Sequence, residues 1–285
     1  MYRRPAVSTR QDLGGGVFQF QTERWQTNAV LAAAGGQALL CDPSWEPAEI
    51  EAIRAEAARL AGGATHLLIT HGDYDHVCGI GFFPGATVVA GEETAARIES
   101  GAAAKGLRSA EKEWGIEWRT DLRVDRVAAA GEVLSLGAFR AKAIEARGHV
   151  ADGRAYVLLD QGVLRPGDYL SAMTYPFVVD SIGRYRAASA RLLAAIEEHD
   201  LRWVVPGHGP PLAPDEGRAV GEADDAYLAA LQEAAREAVA AGLAPSPALL
   251  HVYAVPPPRA TTDDFEIYDL RVWNAKKALE EVRGG

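Results

Sequence analysis

A chain of 285 residues, 48% apolar and 24% charged, can bury one substantial core, as one large domain or two small ones. Its formal net charge of −10 argues against a surface built to grip a phosphate backbone, so no nucleic-acid partner is expected. Two cysteines, Cys41 and Cys78, are too few for a disulfide framework; Met1 to Gln11 has no apolar signal core, and no apolar run is long enough for a membrane span, so a cytoplasmic location is expected.

Residues 17–22 alternate apolar and polar, the pattern of a half-buried strand. Residues 28–34 predict a second strand, Gly35-Gly36 a tight turn, and residues 38–41 a third strand that stops at Asp42-Pro43. The Ala- and Glu-rich stretch 47–61 places Ile50, Ile53 and Leu60 at helical spacing and ends at Gly62-Gly63. A short strand is expected over 65–70, another over 88–90, and a helix near 92–99. Residues 101–127 are charged and aperiodic; they read as a connector carrying packed Trp114 and Trp118 rather than as a lid.

Two strand-like pieces, 133–136 and 139–146, flank Gly137, and a hairpin is expected from 156–160 through Gln161-Gly162 to 163–164. Residues 185–198 form an amphipathic helix with Leu192, Leu193 and Ile196 inward, and 203–205 form a strand. Thereafter 215–242 read as helix, 243–260 as Pro-rich and irregular, and 263–282 as helix. A catalytic domain over 1–212 with a helical extension over 213–285 packed on it is the expected organisation, a homodimer being left open.

The chemistry concentrates in Thr70-His71-Gly72-Asp73-Tyr74-Asp75-His76, where four metal-ligand side chains fall within six positions after an apolar run. Imidazole and carboxylate together suit a divalent metal that stays open to water or substrate. Three further strand ends each present one candidate after a glycine: Gly148-His149, Gly167-Asp168 and Pro206-Gly207-His208-Gly209. Each alone is an ordinary turn. Together they place ligands at one edge of a layered fold.

These motifs, in this order, resemble those of the metallo-β-lactamase-fold hydrolase superfamily over roughly residues 15–212, in a variant with Asp73 where His is commonest. The resemblance implies an α/β fold, a four-layer αβ/βα sandwich followed by a C-terminal helical tail. It implies a site for two divalent metal ions, with Zn2+ expected and Mn2+ or Fe2+ as alternatives because Asp73 makes the first site harder. His71, Asp73 and His149 would hold the first ion, Asp75, His76 and His208 the second, and Asp168 would bridge them. Asp75 would also orient the attacking water or shuttle its proton, and Asp42 would fix a ligand histidine from behind unless it caps the helix beginning near Pro47.

The implied activity is hydrolysis of an ester-like bond of a small molecule by a metal-activated hydroxide: a thioester, lactone, ester or β-lactam-like amide. The rivals are a phosphodiesterase using the same ions and a single-iron sulfur dioxygenase, the latter disfavoured by the full set of second-site ligands. Tyr74 and Tyr175 are expected at the substrate, and Cys78 is read as packing.

Overall fold

The structure is a computed structural model and describes residues 9–261 and 270–284. Most of Met1 to Gln11 therefore lies outside the described residues, as does the first part of the helix expected over 263–282.

Among the described residues, one sheet has seven strands in sequential order: β1 (Thr9–Gly14), β2 (Val17–Gln21), β3 (Asn28–Ala34), β4 (Gln37–Cys41), β5 (Ala64–Leu68), β6 (Thr87–Ala90) and β7 (Arg126–Val127). The first four pair antiparallel and the rest parallel. Tight turning between β3 and β4 falls on Gly35 and Gly36, whose φ values of 57° and 71° disfavour any side chain. A second sheet holds β8 (Val133–Leu136), β9 (Phe139–Glu145), β10 (Arg154–Leu158), β11 (Val163–Arg165) and β12 (Trp203–Val204), in the order β12-β11-β10-β9-β8.

Alternation along the strands decides the layering. Val30, Leu39, Cys41 and Leu68 of the first sheet meet Leu134, Phe139, Ala141 and Tyr156 of the second in a shared inner core. Their neighbours Leu31, Leu40, Leu67 and Val88 face outward onto helices α1 (Pro47–Ala61), α2 (Tyr74–Val77), α3 (Glu92–Glu99) and α4 (Ala102–Trp114). On the far side, Ile144, Ala155, Val157 and Leu164 pack against α5 (Ile182–Glu198), α6 (Pro214–Ala240), α7 (Pro245–Tyr253) and α8 (Leu270–Gly284). Helix, sheet, sheet, helix: this is the four-layer arrangement. Each fully buried Leu in these cores is worth about 1.5–3 kcal/mol of transfer free energy.

Helix α1 shows how local chemistry sets boundaries. Pro47 opens it, the Glu46 amide donates to Glu49 Oε2 at 2.9 Å, and Gly62 closes it at φ 71°. The buried residues Ile50, Ile53 and Ala57 lie on one face.

Several expectations need correction. Strand β1 escaped the reading because its residues are mostly polar and exposed, as an edge strand permits. The stretch 101–127 contains helix α4, whose buried stripe is only Ala103, Leu107 and Ala110, too sparse in large apolar residues to show periodicity. Its two tryptophans are packed as expected: Trp114 lies edge-on to Trp25 at 5.4 Å, and Trp118 donates from Nε1 to the Trp45 carbonyl at 2.8 Å. The stretch 243–260 contains helix α7, with Pro245 in its first turn, where a missing N–H costs nothing. Helix α5 begins three residues earlier than the spacing suggested, because Ser181 caps it by accepting from the Arg184 amide.

Candidate metal centre

Every candidate ligand follows a strand at the same edge of the two sheets, Asp75 and His76 within the short helix α2 and the others on loops. Asp42 directly follows β4, residues 70–76 follow β5, and His149 lies between β9 and β10. Asp168 follows β11, and His208 follows β12. The loops are tied across the sheets: the Arg154 amide donates to the Thr70 carbonyl at 2.7 Å, and the Asn28 amide to the Gly207 carbonyl at 2.8 Å.

The structure brings all seven predicted ligand side chains together, with Asp168 at the centre. Its Oδ1 is 3.2 Å from His76 Nε2. Its Oδ2 is 3.3 Å from His149 Nε2, 3.3 Å from His208 Nε2 and 3.8 Å from His71 Nε2. On one flank, Asp73 Oδ2 lies 3.7 Å from His71 Nε2 and 3.9 Å from His149 Nε2. On the other, Asp75 Oδ2 lies 3.4 Å from His208 Nε2 and 3.6 Å from His76 Nε2. Three subsets have one donor atom per residue within 4.8 Å of each other: His71, Asp73 and His149; Asp75, His76 and His208; and His71, His76 and Asp168.

The outer imidazole nitrogens are all occupied. His149 Nδ1 is 2.7 Å from the Phe177 carbonyl, and His208 Nδ1 is 3.0 Å from the Trp25 carbonyl. His76 Nδ1 is 3.2 Å from Asp42 Oδ2. His71 Nδ1 is 3.1 Å from Thr70 Oγ1, which itself donates to Asp42 Oδ2 at 2.8 Å. The two carbonyls and the carboxylate accept only, and the Thr70 hydroxyl hydrogen goes to Asp42, so these contacts put a proton on Nδ1 and leave Nε2 as the nitrogen that faces inward.

The inner atoms tell the complementary story. His71 Nε2, His76 Nε2, His149 Nε2 and Asp168 Oδ1 are buried without a hydrogen-bond partner among the described residues. Native structures almost never leave such atoms unsatisfied. A cluster of lone pairs from imidazole and carboxylate, converging from all sides, fits divalent cations as the missing partner.

Electrostatics reinforce the fit. Burial and neighbouring His76 push the His71 imidazole down to about 4, so it is neutral at pH 7, the form that ligates metal. Burial disfavours charge on Asp168, but His76, His208 and His71 outweigh it and hold its carboxyl well below the usual range. Burial pushes the Asp75 carboxyl up. Burial also opposes charge on His149, yet Asp168 and Asp73 raise it to about 9, so a metal arriving there would displace a proton.

Asp42 holds the site from behind and does not cap α1, whose N-cap is Glu46. Fully buried, it accepts from the Thr70 amide, Thr70 Oγ1 and, at 3.0 Å, Arg165 Nη2. Arg165 is fully buried too and reaches the carbonyls of Asn28, Val205 and Pro206. Sequence reading passed over Arg165, although a charged residue closing the apolar run Val163-Leu164 is a signal. It also passed over Asn28, whose Nδ2 donates to the Pro206 and Gly209 carbonyls and steadies the His208 loop.

The expected substrate residues sit differently. Tyr74 packs in the aromatic cluster, 5.2 Å from Trp45 and 6.1 Å from Trp25. Tyr175 is buried edge-on to Tyr227 at 5.8 Å, a core position rather than an exposed wall. Cys78 is buried with Sγ 3.7 Å from the Trp45 carbonyl, in keeping with packing. An open cleft of about 710 Å³ reaches the centre at Asp73 and is lined by Glu93, Arg97, Arg147, Asp152 and Asp180 among others.

Comparison with known proteins points to the same fold. Residues 22–208 match the model of the metallo-beta-lactamase superfamily. A metallo-beta-lactamase family protein from Thermus thermophilus superposes with a TM-score of 0.65 at 22% identity, covering 96% of this chain and 95% of that one. A metallo-beta-lactamase from Hirschia baltica gives 0.56 at 18%, covering 76% and 97%. The metallo-beta-lactamase FIM-1 from Pseudomonas aeruginosa, in its mono-zinc form, gives 0.57 at 16%, covering 76% and 95%. At such identities the structural likeness shows the fold alone. No functionally curated protein matches the chain. No helix among the described residues is long and apolar enough to cross a membrane.

Proposed function

The chain belongs to the metallo-beta-lactamase superfamily, and from that premise we propose that it is a binuclear metal-dependent hydrolase of an ester-like bond in a small molecule. Family and site together support a metal-dependent hydrolase in general. The observation that carries the finer reading is the set of buried, inward-facing atoms, Nε2 of His71, His76 and His149 and Oδ1 of Asp168, that have no hydrogen-bond partner among the described residues.

In this reading His71, Asp73 and His149 hold one ion, Asp75, His76 and His208 the other, and Asp168 is shared. Zinc is the preferred ion. When bound, the two ions supply a nucleophilic water at neutral pH and polarise the scissile carbonyl. The remaining work falls to the chain. The histidines are held in the Nδ1–H tautomer by Phe177, Trp25, Asp42 and Thr70, so no reorganisation is needed at the moment of reaction. Asp75 holds the attacking water by a hydrogen bond and takes its proton. The cleft beside Asp73 admits the substrate.

The test is metal analysis of the purified protein, followed by a metal-replete screen across esters, thioesters, lactones, β-lactams and phosphodiesters. About two zinc ions per chain, turnover of a carboxylic ester-like substrate, and its loss in His71→Ala and Asp168→Ala are expected. One iron with oxygen uptake, or turnover of phosphodiesters only, would overturn the reading.

A further inference from the structure

Asp73 turns its two oxygens to different partners. Oδ2 faces His71 and His149, while Oδ1 accepts from Arg97 Nη2 at 2.6 Å. The guanidinium is itself fixed, because Nη1 donates to Asp152 Oδ1 at 2.9 Å. Asp152, buried, is anchored in turn: Oδ2 accepts from the Gly72 amide at 2.8 Å and its carbonyl from Thr94 Oγ1 at 2.8 Å. The assembly is tightly fitted. A Cβ on Gly72 would come within 2.8 Å of both Arg97 Cδ and Asp152 Oδ2.

We propose that Arg97 is a positioning residue that sets the metal preference of the first site. By occupying Oδ1 it confines Asp73 to single-oxygen coordination and offsets the charge of a carboxylate standing where an imidazole would be neutral. Two imidazoles, the single-oxygen Asp73 carboxylate and the shared Asp168 carboxylate make a four-donor set, a low coordination number that suits zinc. A carboxylate free to chelate through both oxygens suits larger, harder ions that take more oxygen ligands, such as manganese. Arg97 thereby counters the shift toward harder ions that Asp73 would otherwise bring. Loss of such an outer contact typically changes metal affinity about 10–100-fold.

This inference rests on the two-metal reading, and its test does not use turnover. In a His208→Ala background, which cripples the second site, first-site affinities for Zn2+ and Mn2+ are measured by chelator competition, and the Co2+ absorption spectrum is recorded. Arg97→Leu is expected to lower the zinc-over-manganese preference about tenfold or more. It should also weaken the intense visible Co2+ bands of four-coordination. Arg97→Gln, which keeps one donor, should fall between, and circular dichroism should show all variants folded. A preference and a spectrum unchanged in Arg97→Leu, with metal still bound, would overturn the inference while leaving the hydrolase reading intact. A His208→Ala parent that binds no metal would overturn both.

Discussion

Asn274 grips the chain on both sides of Phe177: its Nδ2 donates to the Pro176 carbonyl at 2.6 Å, and its Oδ1 accepts from the Val178 amide at 3.1 Å. The Phe177 carbonyl between them is the acceptor for His149 Nδ1. Trp273 Nε1 adds a bond to the Val178 carbonyl at 2.9 Å, so a C-terminal helix takes part in aiming a candidate ligand that lies over a hundred positions earlier. Asn274→Ala should cost about 1–3 kcal/mol for the bonds lost in a buried setting. It should also weaken zinc at the first site about 10–100-fold. Urea unfolding and chelator competition measure the two effects; an unchanged zinc affinity would detach the tail from the site.

Asp42 and Arg165 form a fully buried pair, and removing one partner strands the other. Asp42→Asn is expected to cost about 3–5 kcal/mol in urea unfolding of the metal-free protein. The pair also predicts a pH dependence. Burial pushes the Asp42 carboxyl up, but Arg165, His76 and Thr70 hold it at about 2, against 3.8 when free. The folded value lies below the unfolded one, so the stability it confers is complete above about pH 4 and drains away as pH falls toward 2. That contribution is about 2 kcal/mol. Wild type should therefore lose more stability than Asp42→Asn between about pH 4.5 and 2.5; parallel curves would contradict the assignment.

Thr70 carries the link between Asp42 and His71. With its hydroxyl donating to Asp42, Oγ1 is left to accept from His71 Nδ1. Thr70→Val keeps the shape and deletes both bonds. Zinc affinity should fall about 10-fold or more, and Thr70→Ser should restore it. The imidazole nitrogen resonances of His71 report the tautomer directly, and an Nδ1–H signal persisting unshifted in Thr70→Val would count against this role.

Gly207 is the close-approach point behind Asp168. A Cβ there would lie 1.9 Å from Asp168 Oδ1, so one of the two must move. Gly207→Ala should displace the shared carboxylate and reduce bound zinc from about two ions per chain to one or none, with little change in far-ultraviolet circular dichroism. Retention of both ions would show that the loop accommodates the methyl group without moving Asp168.

Much of this was legible along the chain because it is local. The polar-apolar alternation over residues 17–22 marks a half-buried strand, and the spacing in His71-Gly72-Asp73-Tyr74-Asp75-His76 marks a ligand-bearing stretch. The glycines before His149, Asp168 and His208 marked three strand ends. Helices α4 and α7 were illegible for the opposite reason: a short, Ala-rich or Pro-opened helix takes its stability from what it packs on, not from its own period. Edge strand β1, mostly exposed, had no buried face to encode.

By itself, then, the sequence determined which side chains could bind a metal and in which order the strands would present them. Only the tertiary structure decided how those side chains are held. Arg97 on Asp73, Arg165 on Asp42 and Asn274 beneath His149 are contacts between positions 24, 123 and about 125 residues apart, made through hydrogen bonds that leave no periodic trace. A ligand's identity is written in its own residue, but its tautomer, its free oxygen and its aim belong to neighbours that meet it only once the sheets have closed.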